Sequence, residues 1–270
     1  NAFGALWPEI AAAPAETRSA LACWFGLICF ALQIYYDFSG YSDMAIGLGH
    51  VLGFTFPENF EHPYTARTVT DFWRRWHITL SFWFREYLYI PLGGNRRGAA
   101  RTVFNLFVVW ALTGFWHGAA WNFLLWGLYY FLLLTLEKTV LKKPLSHLPA
   151  PLGHLLTGIA VLLGWWLFAF DGSETYLSLS GALSYFGQLW GIGAAGPVVA
   201  ADAYVVLRSA LLLITGALGA TRLPLTLCSK LLEKHPRLYY VLDALCLCGL
   251  FLCTAYLVDS NYNPFLYTQF

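Results

Sequence analysis

The sequence predicts an all-α, polytopic transmembrane helical bundle that forms a single membrane domain over residues 1–270. Hydrophobic residues make up 58% of the chain and charged residues 11%, whereas a typical soluble domain is about 25% charged. A soluble fold of this size has too little interior to bury so much apolar surface. The mean hydropathy of +0.56 agrees, and several uncharged stretches are long enough to cross a bilayer.

Five apolar stretches are predicted to cross the bilayer as helices, because about 20 apolar residues cover its roughly 30 Å hydrocarbon core. The second stretch has 34 residues without a charge, which at about 1.5 Å per residue exceeds one simple crossing. It contains Gly114, Gly118 and Gly127, so it predicts a bent or broken helix pair. The last two stretches are weaker predictions, because Arg208 and Asp243 interrupt them. The five stretches are 19–36, 103–136, 148–170, 203–221 and 238–258.

The charges of the connecting segments orient the C-terminal half. Segment 138–147 carries three lysines and segment 222–237 carries four basic residues, whereas segment 171–202 has three acidic residues and no Lys or Arg. The positive-inside rule therefore predicts that the two basic segments are cytoplasmic and that 171–202 lies outside. The tail 259–270 is then also expected outside. Segment 171–202 is rich in Gly, Ser and Ala, and is predicted to be a long loop that holds a short interfacial helix.

Charge and cysteine content exclude several other classes of protein. A net charge of +1 excludes a nucleic-acid binder that relies on bulk electrostatics. The six cysteines show neither metal-ligand spacing nor a disulfide framework, so we interpret them as small core residues. The seven histidines contain no H-x-x-x-H pair, so no metal site is predicted.

A first group of polar residues follows the first predicted span. The stretch 35–43 reads Y-Y-D-F-S-G-Y-S-D and holds Asp37, Ser39, Ser42 and Asp43. Because polar groups are costly in hydrocarbon, the span is predicted to end at Tyr36. A further apolar helix containing His50 is expected to begin near Asp43.

A second group lies between residues 71 and 101, where six basic residues stand against two acidic ones. One interpretation is an amphipathic helix at headgroup level, since Trp, Tyr and Arg gather there in membrane proteins. The other is a polar cavity, because helical spacing puts Arg74, His77 and Ser81 on one face. The stretch 91–98, P-L-G-G-N-R-R-G, is equally compatible with a basic surface turn and with a cradle in which Arg96 and Arg97 attract an anion such as coenzyme A.

The third group is T-G-F-W-H-G-A-A-W-N at 113–122, inside the 34-residue uncharged stretch. His117 is predicted to lie deep in the membrane, where an ionisable residue is a functional hypothesis first. Gly114 and Gly118 are four residues apart, a spacing that lets another backbone approach closely. Trp116 and Asn122 flank the histidine and are candidate binding residues.

Three long motifs resemble the membrane-bound O-acyltransferase (MBOAT) superfamily, and most closely its bacterial polysaccharide branch. They are Q-I-Y-Y-D-F-S-G-Y-S-D-M-A-I-G-L-G at 33–49, F-W-R-R-W-H-I-T-L-S-F-W-F-R-E-Y-L-Y-I-P-L-G-G-N-R at 72–96, and T-G-F-W-H-G-A-A-W-N-F-L-L-W-G at 113–127. The tail N-P-F-L-Y at 263–267 adds to the likeness. Members of the family are longer than this chain, which begins at Asn1 and has Met44 as its one methionine. We therefore expect the chain to be the C-terminal part of an MBOAT protein.

The resemblance implies a helical bundle around a funnel that connects the two membrane faces. It implies that His117 is the general base of an O-acyltransferase and that His77 is a second polar anchor for acceptor or donor. A free imidazole, with a pKa of about 6.5, suits proton transfer at neutral pH. Candidate substrate or donor contacts are Arg74, Arg75, Ser81, Arg96, Arg97, Trp116 and Asn122.

The resemblance also implies a biological setting. It is O-acetylation of an exported polysaccharide, most nearly alginate, at the bacterial inner membrane. The expected acetyl donor is acetyl-CoA, with no bound cofactor, and the expected partners are a periplasmic acetyltransferase and membrane lipid, with no nucleic acid. A transporter or export channel that uses the histidines as a proton relay is the alternative. A purely structural membrane subunit is the third interpretation.

Overall fold

The computed structural model describes residues 2–170 and 179–259, so the N-P-F-L-Y tail motif and part of the predicted outer loop lie outside the described residues. All regular secondary structure within these ranges is helical, which confirms the all-α prediction. A 3₁₀ turn at Pro63–Thr65 and a π-helical turn at Arg85–Tyr89 connect longer elements. The helices are α1 (Ala2–Ala11), α2 (Ala20–Val51), α3 (Val69–Arg75), α4 (Ile78–Phe84), α5 (Ala99–His117), α6 (Trp121–Thr139), α7 (Lys142–His147), α8 (Ala150–Ala169), α9 (Leu179–Leu189), α10 (Ala200–Arg208), α11 (Ala210–Gly219), α12 (Leu223–Lys234) and α13 (Leu238–Asp259).

Four of the described helices, α2, α5, α8 and α13, are long and apolar enough to cross a membrane. The predicted span 203–221 is a bent pair, because α10 and α11 meet at 53°. Counted as one broken span, this pair brings the total to five. The predicted apolar helices at 148–170 and 238–258 are confirmed as α8 and α13.

Helix α2 corrects the prediction for residues 19–51. The expected end at Tyr36 and the expected new helix near Asp43 are both wrong, because α2 continues without a break for 32 residues, about 48 Å. Ser19 caps its start by accepting a hydrogen bond from the Ala22 amide at 3.2 Å. Polar side chains end a run of hydropathy but leave the backbone hydrogen bonds of a helix intact. Asp37 and Asp43 therefore lie within one continuous helix.

The predicted broken pair in 103–136 is confirmed as an antiparallel hairpin of α5 and α6. Helix α5 ends at His117 and α6 begins at Trp121. Gly114 packs against the backbone carbonyl of Phe123, and Gly127 packs against that of Trp110. A side chain at either glycine would overlap those carbonyls, so the glycines permit the close approach of the two helices. The hairpin places His117 at its tip.

The core lies between α2, α6 and α8, with α3 packed along α6. Its largest fully buried side chains in this region are aromatic and include Trp126, Tyr130 and Trp165. Helix α9 is joined to the segment that precedes α2, because the Gln188 side chain accepts a hydrogen bond from Arg18 Nε at 2.9 Å. Helix α9 confirms that segment 171–202 contains a short helix. It packs into the fold through the buried residues Tyr185 and Leu189.

Glu137 on α6 fixes the start of α3. Its carboxylate accepts hydrogen bonds from the amides of Val69 (2.7 Å) and Thr70 (2.8 Å) and from the Thr70 hydroxyl (2.6 Å). These amides have no partner within their own helix, and a negative charge at a helix start is favourable. Glu137 therefore anchors the segment that leads to His77.

Replacement of Glu137 by alanine is expected to lower the free energy of unfolding by about 1–3 kcal/mol, because it leaves part-buried amides without an acceptor. Thermal unfolding in detergent, followed by tryptophan fluorescence, measures the change. Glu9→Ala is the matched control. It removes an exposed carboxylate 3.1 Å from Arg208, and exposed ion pairs contribute at most about 1 kcal/mol. Equal losses in the two variants would contradict the anchoring role.

Candidate active site

His117 is the last residue of α5, and its ring orientation is set by its own helix. Its Nδ1 atom lies 2.7 Å from the backbone carbonyl oxygen of Thr113. A carbonyl oxygen only accepts, so Nδ1 must carry the proton and donate it. In the neutral ring, Nε2 then holds a lone pair. The local helix geometry thus prepares His117 to accept a proton at Nε2.

Aromatic rings surround His117. Its ring centre lies 4.9 Å from that of Trp116, 4.8 Å from that of Trp126 and 5.6 Å from that of Phe168. The histidine lines a cavity of about 20 Å³, which has room for about one water molecule. Helices α2, α5, α6 and α8 and the α3–α4 junction all contribute to this cavity, whose lining residues are Ile34, Phe38, Trp76, His117, Trp126, Trp165 and Phe168.

His77 lies at the junction between α3 and α4 and not within a helix. It has a left-handed backbone conformation with φ of 46°, directly after the extended residue Trp76. The predicted stripe of Arg74, His77 and Ser81 on one helix face is therefore wrong, as is a single amphipathic helix over this stretch. Trp76 is 4% exposed and its ring centre lies 4.8 Å from that of Trp165. Burial of this indole in the core accompanies the bend that breaks the helical spacing.

A hydrogen-bond network holds the His77 side chain. Its Nδ1 lies 3.1 Å from the side-chain oxygen of Asn59. That oxygen also accepts from the backbone amide (3.2 Å) and the hydroxyl (2.8 Å) of Thr79, and the Asn59 amide group donates to the Ser42 hydroxyl at 3.0 Å. Burial lowers the pKa of His77 to about 3, and the nearby His117 acts in the same direction. His77 is therefore neutral at physiological pH.

The structure brings the two predicted histidines together. The Trp116 ring centre lies 6.2 Å from that of His77 and 4.9 Å from that of His117. The ring centre of Phe38, on α2, lies 4.7 Å from that of His77, and Phe38 also lines the cavity beside His117. The two histidines, 40 positions apart in sequence, thus border one aromatic chamber, which is formed by Phe38, Trp116, Trp126 and Phe168.

Asn122 lies in the first turn of α6, beside this chamber. Its amide nitrogen donates to the backbone carbonyl of Phe168 at 3.2 Å, and Phe168 contacts His117. The amide oxygen is buried and has no hydrogen-bond partner among the described residues. Asn122 therefore offers an acceptor close to the cavity.

The predicted arginines do not contact the histidines within the described residues. Arg75 pairs with Asp71 at 2.9 Å, and Arg74 is exposed. Arg96 and Arg97 are exposed in the turn before α5, whereas His117 ends α5. The 19 residues of α5 separate the two ends by about 28 Å. These two arginines can meet only a part of a ligand that is remote from His117.

Two other features complete the outcome for the predicted residues. Ser81 is exposed, and its hydroxyl lies 3.4 Å from the Trp73 carbonyl. No group of three His, Cys, Asp or Glu in the described part of the chain could hold a metal ion.

Sequence patterns gave no sign of Asn59, because an isolated Asn in a loop between two prolines carries no spacing signal. Only the fold shows that it is buried against His77.

Comparison with known proteins places both histidines inside a recognised family. The model of the MBOAT, membrane-bound O-acyltransferase family, matches residues 8–182. This chain belongs to the MBOAT family. The match begins within α1, covers α2 to α8 with the hairpin and the α3–α4 junction, and ends within α9, whereas α10 to α13 lie beyond it.

Curated relatives are named for related chemistries. A probable alginate O-acetylase AlgI of Pseudomonas fluorescens is 44% identical over 61% of this chain and 33% of its own length. A peptidoglycan O-acetyltransferase of Helicobacter pylori is 41% identical over 61% of this chain and 32% of its own. A teichoic acid D-alanyltransferase of Bacillus subtilis is 34% identical over 39% of this chain and 29% of its own. The chain thus spans about a third of the length of these MBOAT relatives.

Proposed function

We propose that this MBOAT chain lies in the bacterial inner membrane and carries the reaction centre of an O-acetyltransferase for an exported polysaccharide. The polysaccharide that we propose is alginate. Five relatives at 43–46% identity are named as probable alginate O-acetylases. The observation that carries the proposal is the 2.7 Å hydrogen bond from His117 Nδ1 to the Thr113 carbonyl. It leaves Nε2 as the proton acceptor beside the cavity.

In the proposed reaction, His117 Nε2 takes the proton of the accepting hydroxyl group. The hydroxyl oxygen attacks the acetyl carbonyl carbon and forms the new C–O bond. The C–S bond of the thioester then breaks, and the thiolate of coenzyme A takes up the proton that His117 holds. General-base catalysis of this kind contributes about 10²–10⁴-fold to the rate.

The other predicted residues have graded roles in this proposal. His77, Trp116 and Asn122 contact the reacting groups or orient them, since they border the chamber of His117. Arg74, Arg96 and Arg97 are exposed and attract the phosphates of acetyl-CoA from the cytoplasmic face. Arg75 contributes less, because Asp71 already pairs with it. Ser81 lies on the exposed side of α4 and contacts a remote part of the donor.

The positive-inside assignment orients the proposed route. The lysines of 138–147 mark the cytoplasmic end of α6, so the hairpin tip with His117 points toward the other face. Acetyl groups enter from the cytoplasm and are passed to a periplasmic acetyltransferase partner, which modifies the polymer. The catalytic step therefore takes place within the membrane protein, between donor and partner.

A labelled-donor experiment tests the function. Membrane vesicles that contain the complete gene product receive acetyl-CoA labelled in the acetyl group and, separately, in the nucleotide. An acetyltransferase moves only the acetyl label, to the partner or polymer, and releases free coenzyme A, which carries the nucleotide label, at the donor face. Movement of intact donor or of saccharide without acetyl transfer would contradict the proposal and favour the transporter. No movement of either label would favour a structural subunit.

A further inference from the structure

We propose that Asn59 is a positioning residue that holds His77 as its Nδ1–H tautomer, so that His77 Nε2 binds a hydrogen-bond donor of the substrate. This inference rests on the proposed acetyl transfer. It adds both a residue that the sequence motifs do not indicate and a statement about which substrate group His77 contacts.

The roles of the Asn59 side-chain atoms follow from fixed donors around it. The backbone amide of Thr79 can only donate, and it lies 3.2 Å from the Asn59 oxygen. That atom is therefore the carbonyl oxygen of the amide and not its nitrogen. The nitrogen on the other side donates to the Ser42 hydroxyl at 3.0 Å. Because the Asn59 oxygen accepts, His77 Nδ1 at 3.1 Å must donate.

Asn59 also shapes the backbone that presents His77. Its own carbonyl accepts a hydrogen bond from the Ile78 amide at 3.0 Å, directly after the left-handed residue His77. Asn59 is 8% exposed, so its amide has little access to water as an alternative partner. The left-handed conformation of a residue other than glycine is costly and persists where surrounding contacts enforce it. Asn59 supplies such contacts from both its side chain and its backbone.

The tautomer of His77 determines which groups its Nε2 atom can bind. With the proton on Nδ1, Nε2 of the neutral ring is an acceptor. This atom is buried and has no hydrogen-bond partner among the described residues. A buried polar atom without a partner is unfavourable, and a bound ligand or water can satisfy it. The group that His77 takes up is therefore an O–H or N–H donor, such as a hydroxyl of the acceptor, and not a carbonyl or phosphate oxygen.

The charged and titratable groups that face His77 influence the pH at which its ring takes up a second proton. Helix α2 contributes the apolar Phe38, and α5 contributes Trp116 and the titratable His117. The carboxylates nearest in sequence to the network are Asp43, beside Ser42, and Glu58, beside Asn59. None of the described ion pairs includes His77. A new carboxylate at position 59 would thus be its first direct ionic partner.

The test is the Asn59→Asp variant of the complete protein in membranes. Aspartate keeps the accepting oxygen but adds a negative charge, which stabilises protonated His77. Protonation removes the Nε2 lone pair, so the acid limb of the acetyl-transfer rate is expected to move to higher pH by about 1–3 units. Asn59→Leu removes the acceptor and is expected to lower kcat at every pH. Ser42→Ala is the matched control: it removes a hydrogen bond on the other side of Asn59 and is expected to leave the pH profile in place.

An acid limb of Asn59→Asp that coincides with that of the unaltered protein would overturn the proposal. A second measurement is independent of activity and of any folding defect. Nitrogen-15 NMR of histidine-labelled protein in membranes, with His77 assigned by its loss in His77→Gln, reports which ring nitrogen carries the proton. Protonated Nδ1 is the expected result, and protonated Nε2 in the neutral ring would refute the role of Asn59. If acetyl transfer itself is absent, the proposed function fails while the NMR result still decides the tautomer.

Discussion

His117→Ala is expected to reduce acetyl transfer by about 10²–10⁴-fold, while the protein still inserts and folds. The variant removes the Nε2 acceptor that the hydrogen bond to the Thr113 carbonyl prepares. Histidine has no ion pair at this site among the described contacts, so the fold loses mainly ring packing. The measurement is the rate of labelled acetyl transfer in vesicles, at equal amounts of inserted protein.

His147→Ala is the matched control for this variant. His147 makes the same bond within a helix, from Nδ1 to the Lys143 carbonyl at 2.8 Å, but it is exposed and remote from the cavity. We expect its acetyl transfer to equal that of the unaltered protein. Full activity of His117→Ala, with normal insertion, would contradict a role as general base. A rate that falls equally in both variants would point to a general effect of removing a histidine.

Gly127→Val is expected to prevent the α5–α6 hairpin from closing, at a cost of at least about 3 kcal/mol. A Cβ atom at Gly127 would overlap the backbone carbonyl of Trp110 and lie 3.3 Å from the Gly114 backbone. Backbone atoms cannot move aside as a flexible side chain can, so the helices must separate. This loss is a large part of a typical total stability of about 5–15 kcal/mol. The measurement is the yield and thermal midpoint of monodisperse protein in detergent.

Gly158→Val provides the comparison for this substitution. Gly158 also lies inside a helix, α8, but nothing stands within 4 Å of its Cβ position. Both variants therefore carry the same penalty for a β-branched residue in a helix, and only Gly127→Val adds the overlap. Folded yields that match in the two variants would show that the close contact of α5 and α6 is not needed.

Much of the architecture follows from local sequence properties. A bilayer leaves backbone polar groups without water, so an apolar stretch of sufficient length becomes a helix whatever surrounds it. This is why the helices at 148–170 and 238–258 were predictable, whereas the break within 103–136 followed from the length of the uncharged stretch and from its glycines. The motifs around His77 and His117 identified the family, and the structure places both residues at one chamber.

The two failures have different physical causes. Asp37 and Asp43 suggested that α2 ends early, yet the helix continues to Val51. Helical spacing put Arg74, His77 and Ser81 on one face, yet burial of Trp76 accompanies a left-handed turn at His77. The first error assumed that charged side chains end a helix, although they leave its backbone hydrogen bonds intact. The second assumed that helical spacing continues across Trp76 and His77, where packing of distant residues changes the backbone.

The sequence by itself determined that this is a helical membrane protein of the MBOAT family, with two histidines as its chemical candidates. Hydropathy and long motifs are properties of the chain alone, so they need no partner to be read. Only the tertiary structure decided that Asn59 directs the Nδ1 proton of His77, and that the exposed arginines stand apart from the histidines. Hydrogen bonds and burial depend on which distant residues meet, and that information exists only once the chain has folded.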